Sequence, residues 1–301
     1  MSYNSIKDIL TACKKDNLEF YQVILNEQVN ETLCTKDEIF EKMHSMYDVM
    51  KQTITEYDKK AVSSSKMAGG NGELLHQYNT KNETLLGKYL SKVIENAVKT
   101  AESNACMKRI VAAPTAGSCG IIPAVFITFQ EQYHIDENEI IKALLVSSGI
   151  GNVIAQNASI SGAQGGCQAE IGSASAMAAG GLAYLNGGDN ETIVNAASIA
   201  LKNMLGLVCD PVAGLVEVPC IKRNATGASN AVVACQMALA GIKSIIPLDE
   251  IIDSMYEIGC TMPSCLKETS QAGLAVTPTA KKIEENLMKL LKIQIMILIR
   301  W

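Results

Sequence analysis

The sequence lacks an excess of positive charge, a long apolar run and a secretory signal. Its 26 lysine and arginine residues are outnumbered by 31 acidic residues, and the formal net charge is −5 at pH 7. This balance argues against a nucleic-acid-binding protein, because such proteins select basic surfaces. Residues 1–20 carry charges throughout and no apolar stretch, so we expect no signal peptide and a cytoplasmic location.

The sequence also lacks a CxxC pair, although it contains ten cysteines. In a cytoplasmic chain we expect thiols to be reduced or bound to metal rather than joined as disulfides. A structural zinc site would need four closed ligands, often in CxxC pairs, so that kind of site is not expected. Cys260 and Cys265 form a C-x4-C pair, interpreted as packing, with a ligand role as the alternative. Four further cysteines are interpreted as small buried hydrophobic residues: Cys13, Cys34, Cys106 and Cys235.

Charge is scarce in the middle of the chain. Between Leu144 and Asn186 the only charged residue is Glu170, and the stretch is rich in Gly, Ala and Ser. Small residues also pack membrane helices closely, but polar residues such as Asn152 and Gln156 interrupt the segment before it reaches about 18 apolar residues. We therefore expect buried, closely packed helices and no membrane insertion.

Patterns typical of strands are scarce, so we predict an all-α fold. Helical spacing predicts helices at 5–33, 37–58, 84–107, 121–131, 137–149, 172–185, 191–206, 227–241 and 249–257, with a loop at 61–83. The first 60 residues are richer in charge than the rest. We accordingly predict an N-terminal helical segment at 1–60, a helical catalytic domain at 61–287 and an atypical apolar tail at 288–301.

Three cysteines stand in turns marked by Gly or Pro: Cys167 in GAQGGCQAEIG, Cys209 in GLVCDPVAG and Cys220 in VPCIKRN. Three thiolates can hold three irons of a [4Fe–4S] cluster and leave the fourth iron open as a Lewis acid. A helix beginning after Cys167 would lower the pKa of that thiol and favour the thiolate that binds metal. The alternative from these residues alone is three buried cysteines without metal.

These segments, with APTAGSCGIIPA and SSSKMAGGNGELL, resemble the alpha subunit of bacterial iron–sulfur-dependent L-serine dehydratase from about Ser63 to about Lys282. The resemblance implies a helical catalytic domain and a [4Fe–4S] cluster held by Cys167, Cys209 and Cys220. It implies conversion of L-serine to pyruvate and ammonia, with the open iron acting as a Lewis acid on the leaving hydroxyl group. It also implies a beta subunit, because this chain lacks the Ser- and His-rich segment that the family carries on a second subunit or an N-terminal domain.

The resemblance also indicates which residues bind the substrate carboxylate. The glycine-rich loop resembles the family's substrate-binding loop, and glycine amides can approach an anion closely. APTAGSCG, ahead of a helix, could form a second anion nest. The predicted substrate contacts are Ser65, Lys66, Gly69, Gly70, Asn71, Thr115, Gly117 and Arg223. His76 and Lys66 are the candidate bases; the alternatives are an ordinary turn, a surface histidine and, for Arg223, a surface salt bridge.

Several other functions stay open on the sequence. A pyridoxal-phosphate dehydratase would hold its cofactor on a lysine such as Lys66, but such enzymes need an α/β fold with strands. A cysteine desulfidase-like lyase on a related cluster domain is a closer alternative. A redox sensor would keep a cluster without converting serine, so turnover of L-serine separates these possibilities.

Overall fold

A computed structural model describes residues 3–299, with the side chains of residues 291 and 293–299 outside the description. Residues 3–299 form thirteen α-helices, and the described part contains no β-strand, only an isolated bridge. The predicted all-α fold is therefore confirmed. The helices are α1 (Ile6–Asp16), α2 (Phe20–Thr32), α3 (Lys36–Thr55), α4 (Asn71–Lys81), α5 (Gly87–Ala105), α6 (Ile121–Tyr133), α7 (Glu137–Asn157), α8 (Gly162–Gly165), α9 (Ser173–Leu185), α10 (Asn190–Lys202), α11 (Cys220–Leu239), α12 (Leu248–Thr261) and α13 (Pro278–Ile299).

Several predicted bounds were wrong. Helix α7, expected at 137–149, continues to Asn157. The single helix expected at 5–33 is broken between α1 and α2, because Asn17 adopts a left-handed conformation at φ 50°. Glu19 then starts α2 through a capping box in which its amide donates to the Gln22 side chain. The loop expected at 61–83 contains α4, which begins directly after Gly70.

The start of α11 also differs from the prediction. Helical spacing placed it at residue 227, but the helix begins at Cys220, directly after Pro219. Proline near the first turn costs no helical hydrogen bond, since the first amides of a helix have no partner there. Cys220 therefore occupies the first turn of a 20-residue helix rather than a free loop.

The charge-poor segment forms the centre of the molecule. Helix α9 is buried along Ser173–Ala183 and is surrounded by α6, α7, α10 and α11. Its small residues allow this close packing: a Cβ added at Gly181 would lie 2.4 Å from the Phe126 ring. The expectation of buried, closely packed helices is thus met. No helix in the described residues is long and apolar enough to cross a membrane.

The N-terminal helices share the main hydrophobic core. Ile6 and Ile9 of α1, Phe20 of α2 and Tyr47 of α3 are buried in the same cluster as α9. The division at residue 60 stays a prediction. The predicted tail at 288–301 lies largely outside the described side chains, and residues 300–301 are outside the described range entirely.

Candidate metal and substrate site

Cys167 is held in a tight turn between α8 and α9. Gly166 before it has φ 75°, and a Cβ there would lie 2.8 Å from the Met262 sulfur, so glycine is needed. After it comes a π-helical turn, Gln168–Gly172. The side-chain amide of the buried Gln168 donates to the Met255 carbonyl and accepts from the Gly206 backbone amide, which anchors the turn that follows Cys167.

Cys209 is clamped by a segment that follows α12. Its amide donates to the Leu266 carbonyl at 2.9 Å, and its carbonyl accepts from the Glu268 amide at 2.9 Å. This pairing forms the isolated parallel bridge between Cys209 and Lys267. The next residue, Asp210, is buried and accepts from the Leu274 amide at 2.8 Å. The chain around Cys209 is therefore restrained on both sides.

Arg223 joins the two cysteine turns. Its Nη1 lies 3.4 Å from the Cys167 sulfur and donates to the Val208 carbonyl at 2.8 Å. Its Nη2 pairs with Asp210 at 2.9 Å. A planar guanidinium can make these contacts at once, which a lysine ammonium cannot. Arg223 is therefore part of the cysteine site and not a surface salt bridge.

The first turn of α11 carries Cys220, with Arg223 one helical turn further on the same face. Asn224 ties this turn to the APTAGSCG loop: it accepts from the Gly120 amide at 2.8 Å and donates to the Gly117 carbonyl at 2.7 Å. Asn224 is buried. It therefore has a positioning role between the two loops.

The sulfurs of Cys167 and Cys209 and a carboxylate oxygen of Glu170 lie within 4.8 Å of one another. The neighbouring Cys209 thiol, which can donate a hydrogen bond, lowers the pKa of Cys167, and the charge of Arg223 lowers it further against the cost of burial. The same interaction, with burial, raises the pKa of Cys209. One thiolate is thus favoured in the pair, and Cys167 carries it.

Cys220 is buried beside this group but not within the 4.8 Å set. Burial raises the pKa of its thiol to about 12, and the negative charge of Cys167 adds to the effect. Cys119 is fully buried, and burial raises its pKa to about 12 as well. Cys260 is exposed and Cys265 half-buried, and neither belongs to the three-residue group.

The APTAGSCG loop reaches the site through Thr115. Its hydroxyl donates to the Glu170 carboxylate at 2.7 Å. Gly117 faces the same carboxylate, and a Cβ added there would lie 2.9 Å from Glu170 Oε1. Thr115 and Gly117 thus lie at the cysteine site, while their predicted contact with substrate stays a prediction.

The backbone amides of the glycine-rich loop bind a carboxylate of the protein itself. Glu102 of α5, 1% exposed, accepts from the amides of Gly69, Asn71 and Gly72 at 3.0, 3.1 and 3.0 Å. The Asn71 side chain and the Tyr57 hydroxyl donate to it as well. Burial opposes the charge of Glu102, but these hydrogen bonds outweigh it and lower its pKa. The amides expected to face a substrate therefore hold a side chain of the protein.

The serines of this loop contact the segment that joins Cys209 to Cys220. The hydroxyls of Ser63 and Ser65 donate to the buried Glu217 carboxylate at 2.7 and 2.5 Å. Ser65 also accepts from the Met67 amide at 3.0 Å. The loop is thus coupled to the cysteine segment through Glu217, a residue that the sequence analysis did not single out.

The two candidate bases lie in different surroundings. Lys66 is exposed at the tip of the glycine-rich loop, with φ 64°. His76 on α4 pairs with the buried Glu95 at 3.1 Å, which also binds Lys92 and Lys99. His76 lines a cavity of about 790 Å³ between α4 and α5, and no described residue lining that cavity is a cysteine. His76 is therefore not brought to the cysteine group.

The donor set suits an iron–sulfur cluster. Two thiols and the nearby Cys220 are soft ligands of the kind that clusters use. Arg223 offers a positive charge to the site, and Gly162 makes room, since a Cβ there would lie 3.1 Å from the Cys209 sulfur. The described residues therefore fit a metal site built on Cys167 and Cys209.

Comparisons with known proteins identify the family of this chain. The sequence model of the serine dehydratase alpha chain family matches residues 15–275. The chain belongs to that family. In this chain, helices surround the turns that carry the buried cysteines.

The chain is 44% identical over 285 residues to the probable L-serine dehydratase, alpha chain, of Bacillus subtilis strain 168, covering 95% of each. It is 42% identical to the L-serine dehydratase, alpha chain, of Peptoniphilus asaccharolyticus, covering 95% of this chain and 98% of that one. It is 36% identical to L-serine dehydratase 2 of Escherichia coli K12, covering 91% of this chain and 61% of the longer relative.

Proposed function

We propose that this chain is the alpha subunit of an L-serine dehydratase, which converts L-serine to pyruvate and ammonia. Its family and the names of its relatives support this reaction. The observation that carries the proposal is the meeting of the buried Cys167 and Cys209 with the half-buried Glu170, with Arg223 against the Cys167 sulfur. Cys220, in the first turn of α11, is proposed as the third thiolate ligand of a [4Fe–4S] cluster.

When bound, such a cluster supplies an open iron that polarises the serine hydroxyl as a Lewis acid. Arg223 balances the negative charge of the thiolates and holds the Cys209 turn in place through Val208 and Asp210. Burial excludes water from the thiols. These residues therefore favour the Cys167 thiolate and hold the proposed ligands in position before substrate arrives.

The glycine-rich loop has two proposed tasks. Gly69 and Asn71, bound to Glu102, fix its shape. Ser65, coupled to the cysteine segment by Glu217, is then the group on this loop that meets the substrate carboxylate. Thr115 is the corresponding donor on the APTAGSCG loop.

The base that removes the α-proton is proposed to be Lys66 rather than His76, because His76 is paired with Glu95 in a separate cavity. After proton removal and loss of water, the aminoacrylate product tautomerises and hydrolyses to pyruvate and ammonium. A beta subunit is proposed to complete the site, since relatives named as alpha chains imply a second chain.

Turnover by the anaerobically prepared alpha chain, with and without its beta subunit, tests this function. We expect pyruvate from L-serine, little from L-cysteine, and a large increase in rate when the beta subunit is added. Alpha chain that is as fast alone as in the mixture would contradict the need for a partner. A mixture that releases sulfide from L-cysteine but no pyruvate from L-serine would contradict the dehydratase itself.

A further inference from the structure

Glu170 is a charged side chain in the site to which the reaction above assigns no role. It is the only charge in the sequence between Leu144 and Asn186. It stands three residues after Cys167, so a helical turn places both side chains on one face. Its carboxylate oxygen lies within 4.8 Å of the sulfurs of Cys167 and Cys209. The segment thus presents an oxygen donor together with the thiols.

Two glycines of the surrounding loops leave space for this carboxylate. A Cβ added at Gly162 would lie 2.8 Å from Glu170 Oε2, and one added at Gly117 would lie 2.9 Å from Oε1. Contacts under 3 Å force something to shift, so a side chain at either glycine would displace the carboxylate. Thr115 donates to Oε1 at 2.7 Å and fixes its orientation.

The charge of Glu170 is poorly balanced by the protein. Among the described contacts its carboxylate receives one hydrogen bond, from the neutral Thr115 hydroxyl. The nearby cation, Arg223, is engaged by Cys167 and Asp210. A half-buried carboxylate beside a thiolate is unfavourable unless a cation joins them.

We infer that Glu170 is a protein ligand of the metal at this site, an oxygen donor that acts beside the cysteine thiolates. The inference rests on the proposed function, since it concerns the same metal site. Thiolates are the soft ligands that clusters select, whereas carboxylate oxygens suit harder ions. On a bound cluster, Glu170 would be the weaker ligand, which an incoming serine oxygen would replace.

Cobalt(II) binding to the iron-free full-length chain tests the ligand directly, without turnover. Co²⁺ reports its ligands through its visible absorption bands, and the probe is Co²⁺ alone under anaerobic conditions. The variants are Glu170→Gln, which keeps the shape and removes the charge, and Glu170→Asp, which keeps the carboxylate and shortens its reach. Glu268→Gln is the matched control, because Glu268 is an exposed carboxylate whose charge acts on both Cys209 and Glu170.

We expect Glu170→Gln to weaken Co²⁺ binding by at least about 10-fold, the lower end of what even outer partners of a metal site contribute. The visible absorption bands of Co²⁺ bound to Glu170→Gln should shift. The Co²⁺ affinity of Glu170→Asp should lie between those of Glu170→Gln and wild type, and the affinity of Glu268→Gln should equal that of wild type. Wild-type chain that binds no Co²⁺ would overturn the inference. So would equal effects of the Glu170→Gln and Glu268→Gln changes, which would indicate a general charge effect.

The iron-loaded chain separates this inference from the proposed function. Release of iron to a chelator should be faster in Glu170→Gln than in Glu268→Gln, and excess L-serine should speed release only where Glu170 is present to be displaced. Equal rates of iron release from both variants would show that Glu170 is not a ligand. That result would not bear on the proposed serine dehydratase function. Absence of both cluster and serine turnover in wild type would instead refute the proposed function.

Discussion

The contact between Glu102 and the glycine-rich loop gives a prediction with a magnitude. Glu102→Gln replaces one carboxylate oxygen by an NH₂ group, which cannot accept a hydrogen bond. At Oε2 this change removes the bonds from the Gly72 amide and the Tyr57 hydroxyl, at 3.0 and 2.6 Å. Hydrogen bonds to charged groups contribute about 1.5–3 kcal/mol each. The expected loss in the free energy of unfolding is therefore about 3–6 kcal/mol.

Equilibrium unfolding in urea at pH 7 measures this loss, with Tyr57→Phe as the matched control. That control removes one donor and leaves the loop amides in place, so its loss should be about 1.5–3 kcal/mol. The Glu102→Gln chain that stays folded should also bind L-serine more weakly, because the loop carrying Lys66 is no longer fixed. If the free energy of unfolding of Glu102→Gln lies within about 1 kcal/mol of the wild-type value, the loss is smaller than one such hydrogen bond contributes. That result would refute the claim that this carboxylate organises the loop.

Three further predictions concern residues around the site and in α5. Gly162→Ala should fold but lose most of its iron, because the new Cβ would approach Cys209 and Glu170; iron per chain after anaerobic loading measures this, and full loading would contradict it. Arg223→Lys keeps the charge but loses the fork that holds Val208 and Asp210; about 10-fold weaker metal binding is expected, and unchanged affinity would count against the assignment. Burial opposes the charge of Glu95, but hydrogen bonds from Lys99, Lys92 and Asn79 outweigh it and lower its pKa from 4.5 to about 2. The ionised Glu95 contributes on the order of 3 kcal/mol to the free energy of unfolding. This contribution should be complete above pH 4.5 and lost as the pH falls towards 2. The unfolding free energies of wild type and Glu95→Gln should thus converge in acid, and a difference that stays constant with pH would contradict the ion cluster.

Much of the fold followed from the sequence because its signals are local. The small residues between Leu144 and Asn186 predicted closely packed buried helices, and α9 fills that role. Helix α4 was missed because its start at Asn71 follows glycines that are typical of a loop. The break at Asn17 was missed because one left-handed residue interrupts a continuous amphipathic pattern.

The site was only partly visible in the sequence, because its partners come from distant segments. Glycine and proline turns singled out Cys167, Cys209 and Cys220, and the structure places the first two together. Glu102 was not predicted to occupy the loop amides, since it lies more than 30 residues away on α5. Glu170 did carry a local signal: a lone charge, one helical turn after a candidate ligand, in an otherwise uncharged segment.

The role of the three cysteines is tested most directly by iron and sulfide content measured together with serine turnover. Cys167→Ala, Cys209→Ala and Cys220→Ala should each be prepared anaerobically, with the buried Cys119→Ala and the exposed Cys260→Ala as controls. The account predicts that each of the first three lacks both cluster and activity, while the two controls keep both. Unchanged iron and sulfide in the three variants would contradict the proposed cluster site.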